Sequence, residues 1–160
     1  MRLRMLVAAI IATFVYAPFV ASAATKIDDP AKFVTAVYAK MAAPNSSYAA
    51  PEDINTPRLD SLFALEKKES GGEVGRLDFD FWTNAQDLQL SGVSVKEQPV
   101  EGSDARKVVI AKFKNSGTPE EIHFYFERTG TGWKLDDVRS LKGEPWTLSL
   151  ILKYGWDTGN

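Results

Sequence analysis

"GWKLDDVRS", Gly132–Ser140, decides how this chain is read. It opens as a β-strand, with Trp133 and Leu135 alternating against Lys134 at the period of two that marks a half-buried strand. Two acids follow, Asp136 and Asp137, and the next apolar residue, Val138, falls one step out of phase. One extra residue in one strand of an antiparallel pair does this: a β-bulge flips the faces and bends the strand. The pattern predicts Val138 buried on the same side as Trp133 and Leu135, with the bulge at Asp136-Asp137. The competing reading is a carboxylate pair doing acid–base chemistry. Such pairs flank one reacting bond, roughly 5–9 Å apart in glycosidases. Consecutive residues on a bend point mostly in different directions and fit that need poorly.

The three segments before this strand read the same way. Glu121–Arg128 places Ile122, Phe124 and Phe126 on one face, and Arg106–Lys114 does so with Val109, Ala111 and Phe113. Further upstream, Leu88 and Leu90 alternate, Ser91-Gly92 intervenes, and Val93 and Val95 continue in the opposite phase. Gly92 tolerates positive φ, so a second bulge is predicted there. Short turns at 101–104, 115–117 and 130–132 make the four strands an antiparallel meander, strongly curved by its two bulges.

Helices come before and after. Asp29-Pro30 and Thr56-Pro57 each pair an N-cap residue with proline at the first helical position. Phe33, Val34, Val37, Tyr38 and Met41 recur at helical spacing and predict a helix over 30–42. Leu59, Leu62, Phe63 and Leu65 predict a second, to about Lys68, stopped by Ser70-Gly71-Gly72. The stretch 44–55 is a loop rich in Pro, Ser, Asn and Ala. Pro145 precedes a last apolar segment, Trp146–Tyr154, read as a helix, with a short strand through Thr147–Leu152 as the alternative. The fold class is therefore α+β, with N-terminal helices packed in the concavity of a four-stranded meander and a C-terminal helix.

The first residues bear on destination. Arg2 and Arg4 precede an apolar run, Met5–Val20, and Ala21-Ser22-Ala23 follows as a small-residue cleavage signature. That order is a secretory signal peptide, with cleavage expected after Ala23. A membrane anchor is the alternative, but the run is short for a span and Pro18 interrupts it. Residues 24–160 then form one domain. Loss of Arg2 and Arg4 takes the formal charge from −2 to −4, and a mildly acidic domain is a poor partner for nucleic acid or an anionic membrane. The absence of cysteine excludes disulfides, thiolate metal sites and cysteine nucleophiles. No stable membrane insertion is expected after cleavage, and the location is periplasmic or secreted.

The curved sheet, and "GWKLDDVRS" above all, resembles the NTF2-like (cystatin-like) folds. "LDFDFWTNAQD", Leu77–Asp87, followed by a strand, then "GWKLDDVRS" and a closing "WTLSLILKYG", is similar to the exported bacterial domains grouped as domain-of-unknown-function family 3828. The likeness spans Ala31 to Tyr154. The closing strand motif is common among NTF2-like proteins; the two motifs in this order are more specific. The family pattern commonly carries a proline soon after the second acid, where this chain has Phe81-Trp82. The resemblance implies a fold and an exported location, and supplies no catalytic residues.

Candidate chemistry is sparse. His123, the one histidine, is in phase with Tyr125 and Glu127 and is predicted on the outer sheet face. There is no G-x-S-x-G elbow and no glycine-rich phosphate loop, and no cofactor is expected. Asp78, Asp80, Asn84 and Asp87 fall within ten residues and supply the hard oxygens that Ca²⁺ takes in numbers of six to eight. Their spacing is not that of an EF-hand, so calcium is not expected to be required. If Phe81 and Trp82 are buried, these acids bracket a hydrogen-bonded turn instead. Asp78, Asp80, Asp87 and Trp82 are kept as low-grade binding candidates. Trp82, Trp133, Trp146 and Trp156 either fill the core or line a cavity between sheet and helices. Two functions remain open: a non-enzymatic binding module for an envelope protein or a small apolar ligand, or a small hydrolase- or isomerase-type enzyme with a pocket inside the cone.

Overall fold

A computed structural model describes residues 25–156, apart from 45, 47, 49, 52 and 72. Residues 1–23, where a signal peptide is expected, lie outside the described residues, as do 24 and 157–160. Three helices and five strands follow in the order α1 (Pro30–Met41), α2 (Pro57–Ser70), β1 (Leu90–Val100), β2 (Ser103–Asn115), β3 (Thr118–Thr129), β4 (Gly132–Ser140), β5 (Trp146–Thr147) and α3 (Leu148–Tyr154). The strands pair in sequence order, each antiparallel to the next.

Both bulges are present. Between β3 and β4, Phe126 pairs with Leu135 and Tyr125 with Asp137, which leaves Asp136 as the extra residue. Val138 is consequently fully buried with Trp133 and Leu135. Between β1 and β2 the register shifts from Ser91↔Lys114 to Ser94↔Lys112, with Gly92 at φ +62°. Leu90, Val93 and Val95 all pack against the core as a result. Each bulge bends its strand and increases its twist.

The expected helix starts hold for physical reasons. The Asp29 carboxylate accepts from Lys32 N–H at 3.0 Å, and Thr56 Oγ1 accepts from Leu59 N–H at 3.3 Å. Each thereby satisfies a donor that the first turn leaves without an intrahelical acceptor. Gly71, at φ +62°, closes α2 in the left-handed conformation.

Three expectations are corrected. The sheet has five strands, not four: Trp146 and Thr147 pair with Ser140 and Arg139 before the helix begins. The last helix therefore starts at Leu148, two residues later than expected. Leu88 is exposed and lies outside β1, because the Asn115 side chain ties the backbone there, donating to Asp87 O at 2.9 Å and accepting from Gln89 N–H at 2.7 Å.

The edge of β4 is closed by three separate segments. Trp133 N–H donates to Ile27 O, Leu135 N–H donates to Ile54 O, Thr56 N–H donates to Leu135 O, and β5 covers the rest. Gly132 is required at the start of this strand. Its φ is +124°, and a Cβ there would stand 2.8 Å from Ile27 O. The core lies between the sheet and the helices. Val34, Val37 and Tyr38 of α1 and Leu148 and Leu152 of α3 meet Val109, Ile122, Phe124, Phe126, Leu135 and Val138. Each fully buried aliphatic or phenyl side chain contributes about 1.5–3 kcal/mol.

Candidate functional site

The acid pair of the opening stretch resolves into structure. Asp136 Oδ1 accepts from Thr56 Oγ1 at 2.7 Å and from Arg58 Nε at 3.0 Å, and its Oδ2 accepts from Arg58 Nη2 at 2.9 Å. Arg58 also donates to Asp136 O. Asp137 turns to the other helix: it accepts from Ser149 N–H at 3.0 Å, from Ser149 Oγ at 2.7 Å and from Val138 N–H at 2.9 Å. The Thr147 side chain makes no capping bond, so Asp137 caps α3 from β4. One bulge thus fastens the N-termini of two helices. The carboxylates do not diverge fully, since Arg58 Nη2 also lies 3.9 Å from Asp137 Oδ2. Burial alone would raise the Asp136 pKa; the hydrogen bonds from Arg58 and Thr56 outweigh it and hold the carboxyl below its ordinary value.

The 77–87 segment is a tight turn. Asp80 pairs with Ala85, and Thr83 and Asn84 N–H both donate to Asp80 O. Asp80 Oδ1 accepts from Trp82 N–H at 2.8 Å, and Asn84 takes the left-handed conformation at φ +53°. Trp82 is buried against Phe124, with ring centroids 4.6 Å apart, and the Tyr38 hydroxyl donates to its carbonyl. Asp78 and Asp87 are exposed and are not drawn together with Asp80. Among the described residues, no three His, Asp or Glu side chains come together as a metal site. His123 lies on the outer face, with Nε2 2.8 Å from Glu121 Oε1. Trp82, Trp133 and Trp146 are buried and Trp156 is 45% exposed.

Asp80 and Trp82 do share one wall of a pocket. It opens between the C-terminal end of α1, the segment around Tyr48, the exposed side of α2 and the segment around Leu77, with a volume of about 800 Å³. That is the size of a small-molecule site. Tyr48, Ile54, Phe63, Leu77, Phe81 and Trp82 give it an apolar lining. Asp60, Glu66, Lys67, Glu73 and Asp80 give it a charged one. Phe63 and Phe81 lie against each other with their rings tilted by 43° and 6.2 Å between centroids. Atoms around the Asp80 carboxyl crowd it although the residue as a whole is exposed. This desolvation raises its pKa above the ordinary carboxylate value, while the Trp82 N–H bond works the other way. No sheet residue lines the pocket, and the sheet face turned toward the helices is filled by side chains.

Sequence reasoning missed Arg58 and this pocket. Phe63 and Glu66, half-buried on α2, carried no sequence signal that set them apart. A smaller groove of about 410 Å³ runs beside Trp146 and Trp156. Among the described residues no helix is long and apolar enough to cross a membrane. No family model, no curated protein and no solved structure matches the chain.

Proposed function

We propose that this chain is an exported, non-enzymatic binding module of NTF2-like build, and that it holds a small apolar ligand in the pocket between α1, α2 and the 73–82 segment. The observation that carries the reading is the pocket itself: about 800 Å³, open to solvent, with Phe63, Phe81 and Trp82 in its wall. Burying such surface drives association without any reacting group. Export rests on the n-region arginines and Ala21-Ser22-Ala23. The relation to family 3828 rests on the motifs at 77–87 and 132–140. A small ligand is preferred to an envelope protein as the occupant because the apolar surface here is concave. Calorimetric titration with a neutral amphiphile, decyl maltoside below its micelle concentration, tests the reading. One saturable site is expected, weakened about tenfold by Phe63→Ser through lost apolar contact. Absence of binding, or binding that Phe63→Ser leaves unchanged, would overturn it.

A further inference from the structure

The charges around the pocket select among apolar ligands. Four carboxylates line it, those of Asp60, Glu66, Glu73 and Asp80, against the single amine of Lys67. Among the described residues none of the four has a cationic group within 4.0 Å, whereas Glu69, Glu97, Glu121, Glu127 and Asp136 each do. Two other basic side chains near the pocket are engaged with groups other than these acids. Arg76 gives its backbone N–H to Glu66 at 2.8 Å, but its guanidinium turns away to the carbonyls of Leu152 and Lys153, at 3.0 Å each, and to Glu69. Lys40 stands over the Tyr48 ring, 5.0 Å from its centroid. The acids keep acceptor capacity, since Asp60, Glu66 and Asp80 each use one oxygen, on Asn55, Arg76 and Trp82 respectively.

A partly apolar wall carrying four carboxylates and one amine favours one class of guest. A cation over an aromatic face is attracted by the ring quadrupole, and a carboxylate beside it adds Coulomb attraction. An anion would meet the same carboxylates as repulsion. Resting on the pocket reading above, we propose that the ligand is a small organic cation, an ammonium head on an apolar body. The apolar body lies against Phe63 and Phe81, and the head meets one or two of the carboxylates of Asp60, Glu66, Glu73 and Asp80.

Three probes with one alkyl chain separate the terms: decyltrimethylammonium, decyl maltoside and decyl sulfate, each titrated calorimetrically below its micelle concentration. The cation is expected to bind about tenfold tighter than the neutral probe at low salt, with the sulfate weakest. Molar salt should shrink that ratio severalfold, because screening acts on the charge and not on the chain. The double variant Asp60→Asn/Glu73→Gln, at two exposed positions, should shrink it as well. If that variant does not fold, the salt dependence of the unmodified protein decides the matter by itself. Equal affinity for cation and neutral probe, or tighter binding of the sulfate, would overturn the charge selection and leave the pocket reading standing. Failure of all three probes to bind would overturn both.

Discussion

Replacing Asp137 with alanine should loosen the join between β4 and α3. The residue is 5% exposed, and its carboxylate accepts three hydrogen bonds, from Ser149 N–H, Ser149 Oγ and Val138 N–H. Alanine leaves all three donors without that acceptor, and Val138 is fully buried. A hydrogen bond to a charged group is worth about 1.5–3 kcal/mol and an N-cap about 1 kcal/mol. The contributions overlap, because one carboxylate serves all three donors, so the total cost is about 3–4 kcal/mol. Against a typical stability of 5–15 kcal/mol that is a large fraction, and it lowers Tm by roughly 10–15 °C. Urea unfolding followed by circular dichroism and tryptophan fluorescence should show a lower midpoint with an unchanged m-value. Asp137→Asn keeps the volume and one acceptor oxygen and should cost about 1 kcal/mol. Ser149→Ala removes only the hydroxyl bond, so the double-mutant cycle with Asp137→Ala should give a coupling of about 1 kcal/mol. An Asp137→Ala cost below about 0.5 kcal/mol, or strict additivity in the cycle, would refute the capping role.

Val138→Asp, which puts a charge where exposure is zero, should cost several kcal/mol or prevent folding, read as loss of cooperative unfolding. Asp136→Asn removes a carboxyl whose pKa the fold holds below its ordinary value. Such a group stabilises above the unfolded carboxylate pKa and loses that contribution as pH falls through the folded one. The variant should therefore be about 1–2 kcal/mol less stable at neutral pH, and the gap should close below about pH 4 in a series of urea melts. N-terminal sequencing of the protein recovered from an exporting host should begin at Ala24; a chain that retains Met1 would contradict export.

The legible parts of the fold were those written in short-range chemistry. Asp29-Pro30 and Thr56-Pro57 announced two helix starts because capping and proline geometry act within one turn. The two breaks of phase, at Gly92 and at Asp136-Asp137, announced the bulges because alternation counts residues directly. Trp146-Thr147 was hidden because two residues are too few to show alternation, and their strand exists only through pairing with β4. Arg58 was hidden for a different reason. Its partner Asp136 lies 78 positions away, and no local pattern marks an ion pair at that separation. The site divides along the same line. Asp80 and Trp82 were picked out from a motif and do lie on the pocket wall, whereas Asp78 and Asp87 from that motif are exposed outside it. Phe63 and Glu66 were invisible as site residues, because half-buried positions on a helix look alike whether they face a neighbour or a cavity.

The central claim is the location of the binding surface, and chemical-shift mapping tests it most directly. Uniformly labelled protein is titrated to saturation with decyl maltoside, and the ring signals of Phe63 and Phe81, the Leu77 methyls and the Trp82 indole are followed. The largest changes should fall on these four residues, with the Trp156 indole and the exposed face of α3 at Leu150 and Tyr154 unmoved. Changes centred on Trp156, or on Leu150 and Tyr154, with Phe63, Leu77, Phe81 and Trp82 silent, would contradict the claim.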